Sequence, residues 1–134
     1  MKKVFQYQFP LFIWALLIFW LSSIHRIPAI KFPIQLDKVA HICVFFVFCW
    51  FSRRALYFQD TIPFLRRWAL PAAFLLACIY GYSDEYHQLF VHGRTYDMKD
   101  WLADSSGAAL FIFLFFLTFK WRERLSARTL KAFN

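Results

Sequence analysis

The sequence predicts an all-α membrane protein that folds as a single bundle of four transmembrane helices. Hydrophobic residues make up 60% of the 134 residues and the mean hydropathy is +0.43, whereas soluble globular chains are about 45–50% apolar. A soluble domain of this length cannot bury so much apolar surface. The basic residues flank the apolar runs, which is typical of membrane topology and not of a nucleic-acid-binding patch. We therefore expect one membrane domain and no nucleic-acid partner.

Four segments of the chain are candidates for membrane spans. They cover residues 9–24, 37–56, 68–90 and 98–121, and a basic tail at residues 122–134 is expected to lie on the membrane surface. The first segment starts with Pro10, which a helix start tolerates, and no small-x-small cleavage site follows it, so we expect a retained helix. The second is apolar only over residues 42–51. The helix either continues past Arg53 and Arg54, with their charged groups reaching to the membrane surface, or forms a re-entrant segment.

Lys and Arg are distributed unequally between the two sides of this bundle. With both termini and the middle loop in the cytoplasm, eleven of the sixteen lie on the cytoplasmic side and five on the other. The positive-inside rule then predicts a multi-pass protein of the bacterial cytoplasmic membrane, with both termini inside. Most of the acidic residues and all the histidines gather at the outer face, namely Asp37, Asp84, Glu85, Asp97, Asp100, Asp104, His25, His41, His87 and His92.

The second and third predicted helices bring polar side chains to that face. Asp37 and His41 are four residues apart and share a helix face, although Asp37 alone would also suit an N-cap. Asp84 and Glu85 lie near the end of the third span, where the helix dipole disfavours acids. We expect Lys38, Arg94 or a metal to compensate the negative charge of these two acids. The alternative is that the acids form a helix cap at the membrane interface, hydrated by head-group water.

The fourth predicted helix starts with an acidic stripe. Asp97, Asp100, Asp104 and Gly107 are spaced three, four and three residues apart, so they lie along one face. The first two acids suit the positive end of the helix dipole. Asp104 lies a further turn inside the span, which favours a functional role.

Small residues predict that the third and fourth helices pack together. They recur every four residues, at Ala69, Ala73, Ala77 and Gly81 in the third helix and at Ala103 and Gly107 in the fourth. Arg94, in the connecting loop at residues 91–95, is then placed to reach the carboxylates or an anionic ligand. A structural salt bridge is the alternative role for Arg94. The three cysteines lie in apolar runs without CxxC spacing, so neither a disulfide nor a zinc site is predicted.

These motifs together resemble the VanZ-like family of small membrane proteins. The resemblance covers residues 22–110 and is carried by three motifs in order: Asp37-Lys38 with His41; Asp84-Glu85 with His87, Gln88, Phe90, Val91 and Gly93-Arg94; and Asp97 with Asp100, Asp104 and Gly107. The chain departs from many members at His92, where Pro is common, and at Phe111, where a second Gly often follows. The family is named after a teicoplanin resistance protein. The resemblance implies a polytopic helical domain with these polar residues as its shared core, and a role in the cell envelope.

We expect the outer-face residues to recognise or modify an anionic, lipid-linked head group. Lys38 and Arg94 would bind phosphate or carboxylate. Glu85 or Asp84 would serve as general base, and His41 or His87 as acid. Asp104 is a further catalytic candidate, and the other binding candidates are Asp37, Gln88, Asp97 and Asp100. In a variant of this hypothesis, Asp84, Glu85, Asp100 or Asp104 holds Mg²⁺ or Ca²⁺.

Two other classes of function stay open. One is a non-catalytic protein that binds an envelope lipid or a partner protein, although six acids oppose simple anion binding. The other is proton-linked transport. Four spans are few for a transporter, and the polar stripe does not cross the bilayer. The oligomeric state is not predicted.

Overall fold

The computed structural model of the chain describes residues 4–24 and 34–132, with side chains for residues 4–24 and 36–122. Every described element is a helix, which confirms the predicted all-helical class. A turn of π-helix, Val4–Gln8, precedes α1 (Phe9–Ser23), α2 (Ile34–Phe58), α3 (Pro63–Arg67), α4 (Ala69–Gln88) and α5 (Met98–Ala132). His25, Arg26 and Lys31, which charge counting assigns to the outer side, lie outside the described residues.

Three helical segments are long and apolar enough to cross a membrane: Val4–Ser23, Leu36–Phe58 and Met98–Arg122. The second of these belongs to α2, which is continuous over 25 residues and has no re-entrant break. The Arg53 guanidinium lies 4.6 Å from the Tyr57 ring centroid, and that of Arg54 lies 5.0 Å from the Trp50 centroid. These cation–π contacts let α2 continue past both charges. The 20-residue helix α4 is not among the three segments, because its last turns are polar.

The helices differ from the sequence prediction mainly in two features, an additional short helix and a longer last helix. The short helix α3, which was not predicted, starts at Pro63, a residue suited to the first turn of a helix. Helix α5 continues through the basic segment to Ala132, where the prediction ended the span near Trp121. Lys, Arg, Glu, Leu and Ala all favour helix, which explains why the helix continues through the charged tail.

Helix α2 packs against both α4 and α5 and forms the centre of the bundle. Phe45 and Phe48 of α2 are buried in the core together with Ala73 and Ala77 of α4. The predicted small-residue stripe of α4 is thus buried, and α4 also packs on α5, as expected.

The close approach at Gly107, however, is made to α2 and not to α4. A Cβ atom at Gly107 would lie 2.2 Å from the carbonyl oxygen of Ile42. The assignment of Gly107 to an α4–α5 small-residue contact was therefore wrong. Between α4 and α5, the Trp101 indole donates to the Cys78 carbonyl across 3.0 Å, and Gly81 faces the Asp104 carboxylate.

Candidate functional site

The polar side chains meet at one end of the bundle, which we call the polar end. It is formed by the last turns of α1 and α4 and the first turns of α2 and α5. The directions of the four helices explain this placement, since the acids near the end of α4 and at the start of α5 lie on either side of one short loop.

His41 of α2 and Asp104 of α5 form the deepest contact of the polar end. His41 Nδ1 lies 2.8 Å from Asp104 Oδ1. The Asp104 side chain is 1% exposed. The second ring nitrogen, Nε2, lies 3.8 Å from Asp100 Oδ1. A buried carboxylate on one ring nitrogen fixes the orientation of the imidazole and leaves the other nitrogen for chemistry.

Glu85 is fully buried beside this pair. Its Oε1 accepts a hydrogen bond of 3.0 Å from the Gln88 side-chain amide. Its Oε2 accepts one of 3.1 Å from the backbone N–H of Asp97. These two donors partly compensate the acid at the C-terminal end of α4. Lys38 and Arg94, two of the groups expected to compensate it, bind other partners.

Asp84 points towards α1 and meets neither Lys38 nor Arg94. The Ser22 hydroxyl donates to Asp84 Oδ1 across 2.7 Å, and Gln88 Nε2 lies 3.4 Å from Oδ2. In the neighbouring turn, Ser23 Oγ lies 3.0 Å from His87 Nε2. The structure therefore separates Asp84 and His87 from the His41–Asp104 pair and uses them to attach α4 to α1.

Lys38 forms ion pairs with the first acids of α5. Its Nζ lies 3.3 Å from Asp97 Oδ2 and also contacts Asp100 Oδ1. Asp97 precedes α5, and its Oδ1 accepts the backbone N–H of Lys99 across 2.8 Å, as an N-cap does. This N–H bond, together with Lys38, lowers the pKa of Asp97 from its ordinary value.

Arg94 binds the end of α1 instead of a carboxylate. Its guanidinium donates to the Leu21 carbonyl across 3.2 Å and, more weakly, to the Ile24 carbonyl across 3.4 Å. A cation suits this position because the last carbonyls of a helix carry partial negative charge. The structure thus gives Arg94 a helix-capping role in place of the predicted salt bridge to an acid.

A cavity of about 210 Å³ opens at the polar end between α1 and α2. Its polar lining is contributed by Ser22, Asp37, His41 and Arg94. The apolar walls come from Ile18, Leu21, Ala40, Val44 and Phe45. One imidazole and one guanidinium therefore face the same small cavity.

Two groups of potential metal ligands occur among the described residues. Ligand atoms of His41, Glu85 and Asp104 lie within 4.8 Å of one another, and the same holds for Asp37, His41 and Asp100. Both groups contain His41, which the predicted oxygen-only set omitted. Neither contains Asp84, which that set included.

Sequence reasoning did not single out Ser22 and Ser23. Each contacts a residue of α4 that the sequence did identify. Their position in the sequence could have indicated this role, because the two serines lie at the end of the first apolar segment, on the same side as the acids. His92, by contrast, lies exposed in the loop after α4.

Comparison with known proteins identifies the family of the chain. A family model described as VanZ/LLP1 matches residues 3–120. No curated protein and no solved structure matches the chain. The matched region contains every polar-end residue named above and nearly all of the three membrane-crossing segments. The chain therefore belongs to the VanZ/LLP1 family, as its motifs indicate, and is a multi-pass integral membrane protein.

Proposed function

We propose that the polar end binds an anionic, lipid-linked head group at the outer face of the cytoplasmic membrane, and that His41 serves there as general acid or base in a chemical modification of that head group. The observation that carries the proposal is the cavity that His41 and Arg94 share. The guanidinium supplies charge and a planar fork for phosphate or carboxylate. The imidazole, held by Asp104, supplies a group that gains or loses a proton near neutral pH.

This geometry favours His41 over Glu85 as the residue that transfers the proton. Glu85 is fully buried, and both of its oxygens already accept hydrogen bonds. His41 lines the cavity and is oriented by a buried carboxylate, an arrangement that recurs where histidine acts as acid or base. Lys38 is paired with Asp97 and Asp100, so Arg94 is the better placed cation for a ligand.

Charge and composition support the proposed location. Four spans with both termini inside would place the polar end at the outer face. A head group attached to a lipid could then enter the cavity while its acyl chains stay in the bilayer. Such a role fits a family named after a teicoplanin resistance protein, since that antibiotic acts on the cell envelope.

Native mass spectrometry of the detergent-purified protein tests the binding step. We expect the wild type to retain an anionic lipid whose occupancy falls at least tenfold in Arg94→Gln. Arg67→Gln is the matched control, because it removes an arginine at the end of α3, far from the polar end. Equal retention by all three proteins would refute binding at the polar end.

The catalytic step is tested with the His41→Gln variant. We expect this variant to retain the same lipid while the mass shift that marks modified lipid, formed by the wild type in vesicles of total bacterial lipid, disappears. The alternative is a non-catalytic protein that binds the head group without modifying it. That alternative predicts an unmodified ligand with either protein.

A further inference from the structure

We infer that His41, Glu85 and Asp104 form a binding site for a divalent transition metal, of the class of Zn²⁺ or Mn²⁺. The three residues come from three different helices, α2, α4 and α5, and offer one ligand atom each within 4.8 Å. The site rests on the proposed function and deepens it by naming a cofactor. With the metal bound, His41 would be one of its ligands, and metal-bound water would take over the proton transfer assigned to His41. The ligands do not include Arg94, which binds the lipid, so the two proposals can fail separately.

An unpartnered oxygen supports a ligand at this place. Asp104 Oδ2 is buried and has no hydrogen-bond partner among the described residues. A buried carboxylate oxygen without a partner costs free energy, and a bound cation would remove that cost. Gly81 leaves room beside this oxygen, since a Cβ atom there would lie 3.0 Å from it. Gly81 is one helical turn before Glu85, so Oδ2 faces the part of α4 that carries another ligand.

The charges around the three residues also favour a cation. Glu85 and Asp104 are 0% and 1% exposed, and Lys38 is engaged by Asp97 and Asp100. His41 is the only basic side chain that an ion pair or hydrogen bond joins to either acid among the described residues. A divalent ion would neutralise both carboxylates at once.

The donor atoms select the type of metal. One imidazole nitrogen with two carboxylates suits Zn²⁺ or Mn²⁺ better than Mg²⁺ or Ca²⁺, which prefer oxygen ligands alone. Three protein ligands also leave a coordination position for water or substrate. Of the three ligand residues, His41 also lines the cavity. Gln88 and the backbone N–H of Asp97 would orient Glu85 from behind, as outer-shell partners of metal ligands do.

Metal titration of the chelator-treated protein tests the inference. Isothermal titration with Zn²⁺ and Mn²⁺ is expected to give one site per chain in the wild type. Affinity should fall at least tenfold in both Glu85→Gln and Asp104→Asn, each of which keeps the shape of the side chain. Asp84→Asn is the matched control, because it removes a neighbouring buried carboxylate that belongs to neither ligand group.

Folding is checked by monodispersity on size exclusion, and either ligand variant alone suffices for the test. As a second readout, Co²⁺ bound to the wild type should give visible d–d absorption bands that change in His41→Gln. The inference is overturned if the wild type binds none of these ions, or if Asp84→Asn loses as much affinity as the two ligand variants. A failed titration alongside lipid retention that still depends on Arg94 would overturn the metal site alone.

Discussion

At the scale of single residues, Asp97 connects three elements of the polar end. Its carboxylate caps α5 and pairs with Lys38 of α2, while its backbone N–H donates to Glu85 of α4. Replacing the side chain leaves the N–H bond intact, so the effects of capping and ion pairing can be separated from that of Glu85. The stability of Asp97 variants is therefore a measure of the side chain alone.

We expect Asp97→Ala to lower the free energy of unfolding by about 1 kcal/mol, the typical cost of losing an N-cap. Asp97→Asn, which keeps a cap, should lose less. Because the folded-state pKa of Asp97 is below its unfolded value, the contribution is complete above the unfolded pKa and declines as pH falls through the folded one. Thermal unfolding in detergent should show the wild type and Asp97→Ala converging in acid. A difference independent of pH would contradict this.

Several site residues were predictable because helical spacing fixes which side chains share a face. The stripe of Asp100, Asp104 and Gly107 is buried as its spacing predicts. Spacing within one helix says nothing about distances between helices, so the partner of each acid was not predictable. Arg94 shows this best: its charge suggested a carboxylate partner, and its position places it on the carbonyls at the end of α1.

At the scale of helices, Gly107 fixes the axial position of α5 relative to α2. Its neighbour across the contact is the carbonyl of Ile42, the residue after His41. Asp104 lies three residues before Gly107. The same backbone contact therefore positions His41 opposite Asp104.

Gly107→Ala is expected to destabilise the protein by about 1–3 kcal/mol or more, because overpacking forces backbones apart. The added methyl group would lie 2.2 Å from a backbone oxygen that cannot move alone. Ser106→Ala, at the exposed neighbouring position, is the control and should change stability by less than about 0.5 kcal/mol. The measurement is the thermal unfolding temperature in detergent. Equal unfolding temperatures for the two variants would show that α2 and α5 are not in close backbone contact.

Beyond Gly107, the same helix pair is filled by a large side chain. Phe111, at a position where the resemblance led us to expect a second Gly, is buried and meets Phe46 edge-on, with ring centroids 5.5 Å apart. The tight approach is thus confined to one turn. The sequence indicated the departure from the family, but only the structure shows which helix the ring packs against.

At the scale of the whole molecule, the two ends of the bundle differ in chemistry. The polar end holds the buried acids and His41, whereas the opposite end places Arg53, Arg54 and Arg66 over aromatic rings. This difference between the two ends was predictable from the sequence, because it depends only on the positions of the charged residues along the chain. The number of helices that cross the membrane was not predictable in this way, because the polar last turns of α4 lower its mean hydropathy.

Cysteine labelling determines whether α4 crosses the membrane. Thr61→Cys before α3 and Thr95→Cys after α4 would be made in a variant lacking Cys43, Cys49 and Cys78. Both threonines are exposed. With four spans and both termini inside, an impermeant maleimide should label position 95 in intact cells and position 61 only after lysis. Labelling of both positions from the same side would show that α4 does not cross, and the reverse pattern would invert the orientation.

Helix α1 packs loosely on the rest of the bundle. Only 6% of the apolar stretch in Val4–Ser23, most of which is α1, is buried. Along its length it is attached by hydrogen bonds that include those from Trp14 to the Val44 carbonyl, from Tyr80 to the Ala15 carbonyl, and from Ser22 to Asp84. The same helix forms one wall of the cavity through Ile18, Leu21 and Ser22.

We therefore expect the proposed lipid-linked ligand to enter from the bilayer by displacing α1, without disturbing the aromatic core between α2, α4 and α5. Entry by this route would keep the acyl chains out of water. Its rate would depend on the strength of the hydrogen bonds that attach α1 and on the fluidity of the surrounding bilayer. Tyr80→Phe, which removes one latch, should accelerate the exchange of bound lipid with labelled vesicles, and an unchanged exchange rate would point to entry from the aqueous side.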